Sequence, residues 1–224
     1  MVEITSVTIF GVLINEPVTT FTDLIVSGVC IYAFWRLFQI TSPQKVIIYF
    51  RVYFLIMGIA TALGGILGHA FIYALPFVWK LPGWASSMIA IMFIERAAIE
   101  HTRILLKPVL IKILKALNLI EFLIFLSLTM YYLNFSFVEF HSGYGLMFVV
   151  LSLQLLLYFK TKNQASKTIL LAIGVAALAA LFFMAKVQLF KWFNYIDASH
   201  VLMSISTYIF LRGALKINQL ANLN

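Results

Sequence analysis

Seven stretches of about 20 mostly apolar residues follow one another along the chain. They run over Val18–Ile40, Val46–Tyr73, Trp84–His101, Val109–Leu133, Ser142–Phe159, Lys167–Leu189 and Asp197–Lys216. Such a chain has little choice of fold. In hydrocarbon every backbone amide must be satisfied within its own segment, so the runs become helices. Charged residues make up 11% of the chain and hydrophobic ones 63%, where an average soluble domain is about 25% charged. The sequence therefore predicts an all-α polytopic membrane protein, a bundle of seven transmembrane helices forming a single domain over residues 1–224. Residues 1–17, "MVEITSVTIFGVLINEP", carry no Lys or Arg and are too short to span. They read as an interfacial or re-entrant segment rather than a signal peptide.

The net charge is +8, but it does not form a nucleic-acid face, because the basic residues lie between the apolar runs. Their placement predicts orientation instead. Of the 16 Lys and Arg, all but Lys80, Lys186 and Lys191 fall on one side of the seven runs. The cytoplasmic side carries that excess, so the N-terminus is expected outside and the C-terminus in the cytoplasm. The membrane is the plasma membrane or its equivalent, and its lipids are the expected partners. The lone Cys30 permits neither an internal disulfide nor a Cys-rich metal motif.

Ionisable groups within spans are costly and face the bundle interior. With the expected topology, Glu16 and Asp23 lie at the outer end of the first helix, His69 at that of the second, and Asp197 and His200 at that of the seventh. Glu16, Thr20, Asp23 and Ser27 form one helical stripe; Asp197, His200, Ser204 and Thr207 form another. A metal ion is the chemistry such a group suits. Asp197 and His200 stand at i and i+3, and His69 would be the ligand from across the bundle. Asp23 or Glu16 would serve as general base, or hold a structural cation; Glu16 with Asn15 suits calcium. On the other side, Glu95, Arg96, Glu100, His101 and Arg103 read as salt-bridged and snorkelling groups. Glu121 reads as an interhelical hydrogen-bond partner, and Glu139 and His141 as residues of a solvated outer loop.

Seven helices with a His late in the second and a His early in the seventh resemble the superfamily of alkaline ceramidases and progestin/adiponectin-type receptors. "GGILGHAF" around His69 is similar to the second-helix motif that carries a zinc His. "NYIDASHVLMSISTYIFLRGA" around His200 is similar to the seventh-helix segment that carries the others. "NEPVTTFTD" is similar to the acidic, calcium-associated start of the first helix. The resemblance implies a zinc-dependent intramembrane hydrolase of a lipid amide or ester. The chain departs from the pattern at Gly65, where the family has Ser, near Lys80, where it has Asp, and at Ile196, where it has the first His of a pair. Two further readings stay open. One is a non-catalytic bundle that binds a lipid, a sterol-like ligand or a partner protein. The other is a transporter, against which stands the lack of repeat symmetry.

Overall fold

The computed structural model describes residues 5–41, 44–187 and 190–221. Leu189, the expected end of the sixth run, and the first four residues of the N-terminal segment lie outside the described residues. Most of the described residues are helical. They are α1 (Pro17–Phe38), α2 (Lys45–Ala70), α3 (Phe77–His101), α4 (Pro108–Tyr132), α5 (Ser136–Thr161), α6 (Gln164–Ala185) and α7 (Tyr195–Ala221). Five of them, α1, α2, α3, α5 and α6, are long and apolar enough to cross a membrane. The other two carry charge along their length, with Lys112, Lys115 and Glu121 on α4 and Asp197, Arg212 and Lys216 on α7.

The N-terminal segment is a β-hairpin. Strand β1 (Ser6–Ile9) pairs antiparallel with β2 (Val12–Asn15), Ser6 opposite Asn15 and Ile9 opposite Val12. The two-residue turn between them, Phe10 and Gly11, has φ of 50° and 81°. Positive φ at both central residues is what a tight hairpin turn requires. The Tyr73 hydroxyl donates to Leu13 O at 3.0 Å, which ties the hairpin to the chain beyond α2.

Chain neighbours pack side by side, and α1 meets α7, so the first and last helices close the bundle. The interface is lined by Val26, Cys30 and Ala33 of α1, Phe54 and Ala60 of α2, Ala172 of α6 and Ala214 of α7. Small residues let helices approach closely where lipid offers no hydrophobic drive to associate. Helix α4 packs chiefly on α3 and α5 and leaves a broad apolar face outward. Across the molecule Phe21, Trp35, Phe38, Tyr131, Phe148, Phe159 and Leu171 are exposed, while Glu95, His141 and Asp197 are fully buried. An apolar outside around a polar inside suits a hydrocarbon solvent.

Two helices depart from α geometry. Gly64–Ala70 of α2 and Gly145–Val150 of α5 are π-helical. Such turns are rare and concentrate at functional sites. Helix α5 also corrects one expectation. Its first turn begins at Ser136, so Glu139 and His141 are helical, and His141 is buried rather than solvated. The reversal after α4 needs only Leu133, in a left-handed conformation, and the residues just beyond it.

Candidate metal centre

The site begins where the hairpin hands over to α1. Glu16 caps α1 in a left-handed conformation, φ 44°, unusual for a residue with a side chain. Its carboxylate reaches His69 on the π-helical end of α2, with Oε2 2.8 Å from Nδ1. Two turns into α1, Asp23 is buried. One of its oxygens, Oδ2, lies 3.8 Å from His69 Nε2, and the other, Oδ1, 3.4 Å from His200 Nε2 on α7. A single carboxylate thus stands between imidazoles from two other helices. Close contact of α1 with α2 makes this possible. A β-carbon built on Gly65 would lie 3.0 Å from Asp23 Cβ and 3.1 Å from Thr20 O, tighter than ordinary van der Waals packing.

Hydrogen bonds fix the faces that the rings turn to Asp23. The Thr22 hydroxyl lies 3.0 Å from Thr19 O and 3.1 Å from His200 Nδ1, between the two. Glu16 accepts from His69 Nδ1. Both rings then turn Nε2 to an Asp23 oxygen. A proton or a metal ion between nitrogen and carboxylate oxygen makes such a contact favourable. Two ligand bonds of about 2.1 Å at a tetrahedral angle set their atoms roughly 3.4 Å apart, which is the His200–Asp23 gap, while the His69–Asp23 gap is wider at 3.8 Å. Imidazoles that bind metal commonly give the other ring hydrogen to a carboxylate or similar acceptor. His69 and His200 meet different oxygens of Asp23. Among the described residues only Glu95, Glu121 and His141 bring three ligand-type atoms within 4.8 Å of one another. An ion held by His69, His200 and Asp23 together would therefore have to draw the two rings closer.

Glu16 lies outside the helix, and its titration is informative. The hydrogen bond from His69 holds its carboxyl below the ordinary value of 4.5, against the opposing effect of burial. A carboxyl with a lowered folded pKa adds stability above the unfolded value, and that stability is lost as pH falls through the folded one. Wild type is thus expected to exceed Glu16→Gln in melting temperature above about pH 4.5, the gap closing at lower pH. Thermal unfolding in detergent across pH 3 to 7 checks it.

Asp197 is placed differently from the expectation. It is fully buried, accepting at Oδ1 from the Thr19 hydroxyl at 2.7 Å and at Oδ2 from the Asn194 backbone N–H at 2.7 Å. Both oxygens are committed to joining α7 to α1 and to the turn before α7. Of the five residues expected at the site, the structure brings Glu16, Asp23, His69 and His200 into one chain of contacts. Asp197 supports that chain through Thr19. Thr19 and Thr22 escaped the sequence reading because the stripe drawn on α1 ran through Thr20. Their signal was the i, i+4 step from Thr19 to Asp23.

The other polar groups fall into two kinds. Glu100 pairs with Lys115 and lies 3.6 Å from Arg103, as salt bridges near a helix end do. His101 Nδ1 meets Gln154 Oε1 at 3.0 Å. Glu121 does serve as an interhelical partner, since its Oε1 lies 2.6 Å from His141 Nδ1.

The profile of a family of unknown function, DUF6962, matches residues 18–219. The chain belongs to that family, and the match takes in Asp23, His69, Asp197 and His200 while starting just after Glu16 and the hairpin. Neither the curated proteins nor the solved structures give a match.

Proposed function

We propose that this protein is a metal-dependent hydrolase of a lipid amide or ester, working at the outer face of a membrane crossed by all seven helices. The N-terminus is outside and the C-terminus cytoplasmic in this reading, which follows the distribution of Lys and Arg. One observation carries it above the others: a buried carboxylate, Asp23, stands between two imidazole Nε2 atoms whose Nδ1 atoms are each held by another group. His69, His200 and Asp23 would hold the ion, zinc being the one that two imidazoles and a carboxylate suit. Bound zinc would polarise a substrate carbonyl and lower the pKa of a coordinated water.

The protein's own groups have separate tasks. Glu16 turns the His69 ring and holds its Nδ1 proton; in this reading it does so in place of a calcium site. Thr22 meets His200 at Nδ1. Asp197 fixes α7 against α1. His69 and Glu16 keep 23% and 20% of their side-chain surface exposed, against 7% for Asp23, so the approach for substrate is from their side. Lipid chains would lie along the apolar outer face of the bundle.

Gly65 favours a second reading, a bundle that binds lipid without turning it over. Where the ceramidase-like pattern has a Ser to steady a reaction intermediate, the close contact with Asp23 leaves little room for any side chain. The experiment separates them. Zinc-loaded protein is offered a panel of long-chain amides and esters. The hydrolase reading predicts turnover that His69→Ala abolishes and that Glu16→Gln lowers by roughly 10- to 100-fold, as loss of a ligand's hydrogen-bond partner does. Lipid that copurifies and is never cleaved by zinc-loaded wild type supports the binder instead.

A further inference from the structure

A second group of ionisable side chains lies among α3, α4 and α5, apart from the first. Glu95, Glu121 and His141 each bring a ligand-type atom within 4.8 Å of the others. Glu95 and His141 are fully buried. His141 Nε2 lies 3.0 Å from Met88 O. A carbonyl can only accept, so Nε2 carries a hydrogen, and Nδ1 is left to meet Glu121 Oε1 at 2.6 Å. Glu95 Oε2 accepts from Asn118 Nδ2 at 3.1 Å, and Asn118 Oδ1 accepts from Arg96 Nε at 2.9 Å. Two carboxylate oxygens, Glu95 Oε1 and Glu121 Oε2, are buried with no hydrogen-bond partner.

We propose that Glu95, Glu121 and His141 form a second site for a divalent transition-metal ion. A nitrogen and two carboxylates suit zinc or manganese. A proton shared between Glu121 and His141 would satisfy that one contact and leave both orphan oxygens unpaired. A divalent ion balances two carboxylates and gives each a ligand bond. The surroundings match what metal ligands require. The Met88 carbonyl fixes the tautomer of His141, and Asn118, itself held by Arg96, orients Glu95. Room comes from Gly145, in the π-helical part of α5. A β-carbon there would lie 2.5 Å from Glu95 Oε1 and 2.6 Å from Ile91 Cγ2. Loading would open the 2.6 Å contact between His141 and Glu121, since two ligands of one ion stand roughly 3.4 Å apart.

This site does not depend on the outer one, and its test removes the outer one first. A variant with His69→Ala and His200→Ala together is purified, offered zinc or manganese, freed of excess and analysed for metal. About one ion per chain is expected to remain, and to be lost when Glu95→Gln or Glu121→Gln is added. X-ray absorption at the zinc edge of the double variant is expected to show one imidazole with oxygen ligands. A folded double variant that holds no metal, metal that survives both Glu→Gln changes, or a spectrum of two or more imidazoles overturns the proposal. Should the double variant not fold, wild type is compared with Glu95→Gln. Loss of one ion equivalent supports the site, and unchanged content overturns it.

Discussion

Asp23→Asn is expected to leave the metal-free protein at least as stable as wild type while removing the outer site's share of stabilisation by zinc. The sign comes from burial. In the metal-free protein the Asp23 carboxylate is buried between two imidazole Nε2 atoms, at 3.4 and 3.8 Å. An amide at that place keeps a hydrogen-bonding group towards the rings and relieves a buried charge. The same change takes away an anionic ligand. Zinc at 100 times its dissociation constant stabilises a folded state by about 2.7 kcal/mol. For a chain of this size that corresponds to a rise of roughly 5–10 °C. Wild type should show that much more zinc-induced increase than Asp23→Asn when both are melted in detergent with and without the ion. A cluster held by hydrogen bonds alone would give the reverse pattern, a loss of stability in Asp23→Asn and no difference in the response to zinc.

Asp197→Ala carries the largest expected loss of stability. The carboxylate is fully buried, and its two oxygens satisfy the Thr19 hydroxyl and the Asn194 backbone N–H. Truncation strands both donors. Each buried, unmet polar group costs about 1–3 kcal/mol, so the total for two is roughly 2–6 kcal/mol. Asp197→Asn recovers only part of it, because its amide can accept from one donor and must turn an N–H towards the other. The order wild type, Asn, Ala in denaturation midpoint checks the argument. Asp197 sets the position of Thr19 and, through the same helix, of Asp23. Lower affinity for zinc should therefore accompany lower stability.

The sequence made the helical architecture legible because long apolar runs leave the backbone few options. Each of the seven apolar runs falls on a helix among the described residues, and five of those helices are long and apolar enough to cross a membrane. The ends were less legible. Helix α1 starts at Pro17, one residue before the expected run, but the hairpin before it rests on only a few alternating residues and the Phe10–Gly11 turn. The start of α5 was hidden by Asn134 and Ser136, polar residues that the helix accommodates in its first turn and the reversal before it. With α5 drawn too short, His141 fell outside a helix and the second cluster could not be assembled.

The outer site was legible as a set of residues at one depth and not as a set of contacts. Periodicity shows which face a side chain takes, so Glu16, Asp23, His69 and His200 could be placed on inward faces. It does not show how far one helix has slid along its neighbour. That slide places Asp23, rather than Asp197, between the imidazoles, and Gly65 permits it. Asp197 and His200 share a helix face at i and i+3, but the helix start draws Asp197 back onto Asn194 and Thr19.

Elemental analysis of the purified protein beside His69→Ala and His200→Ala tests the central claim most directly. Each variant is expected to hold one equivalent of zinc fewer than wild type, whatever the rest of the chain binds. Folded variants that hold as much zinc as wild type would contradict the account and leave Asp23, His69 and His200 as a polar contact between helices.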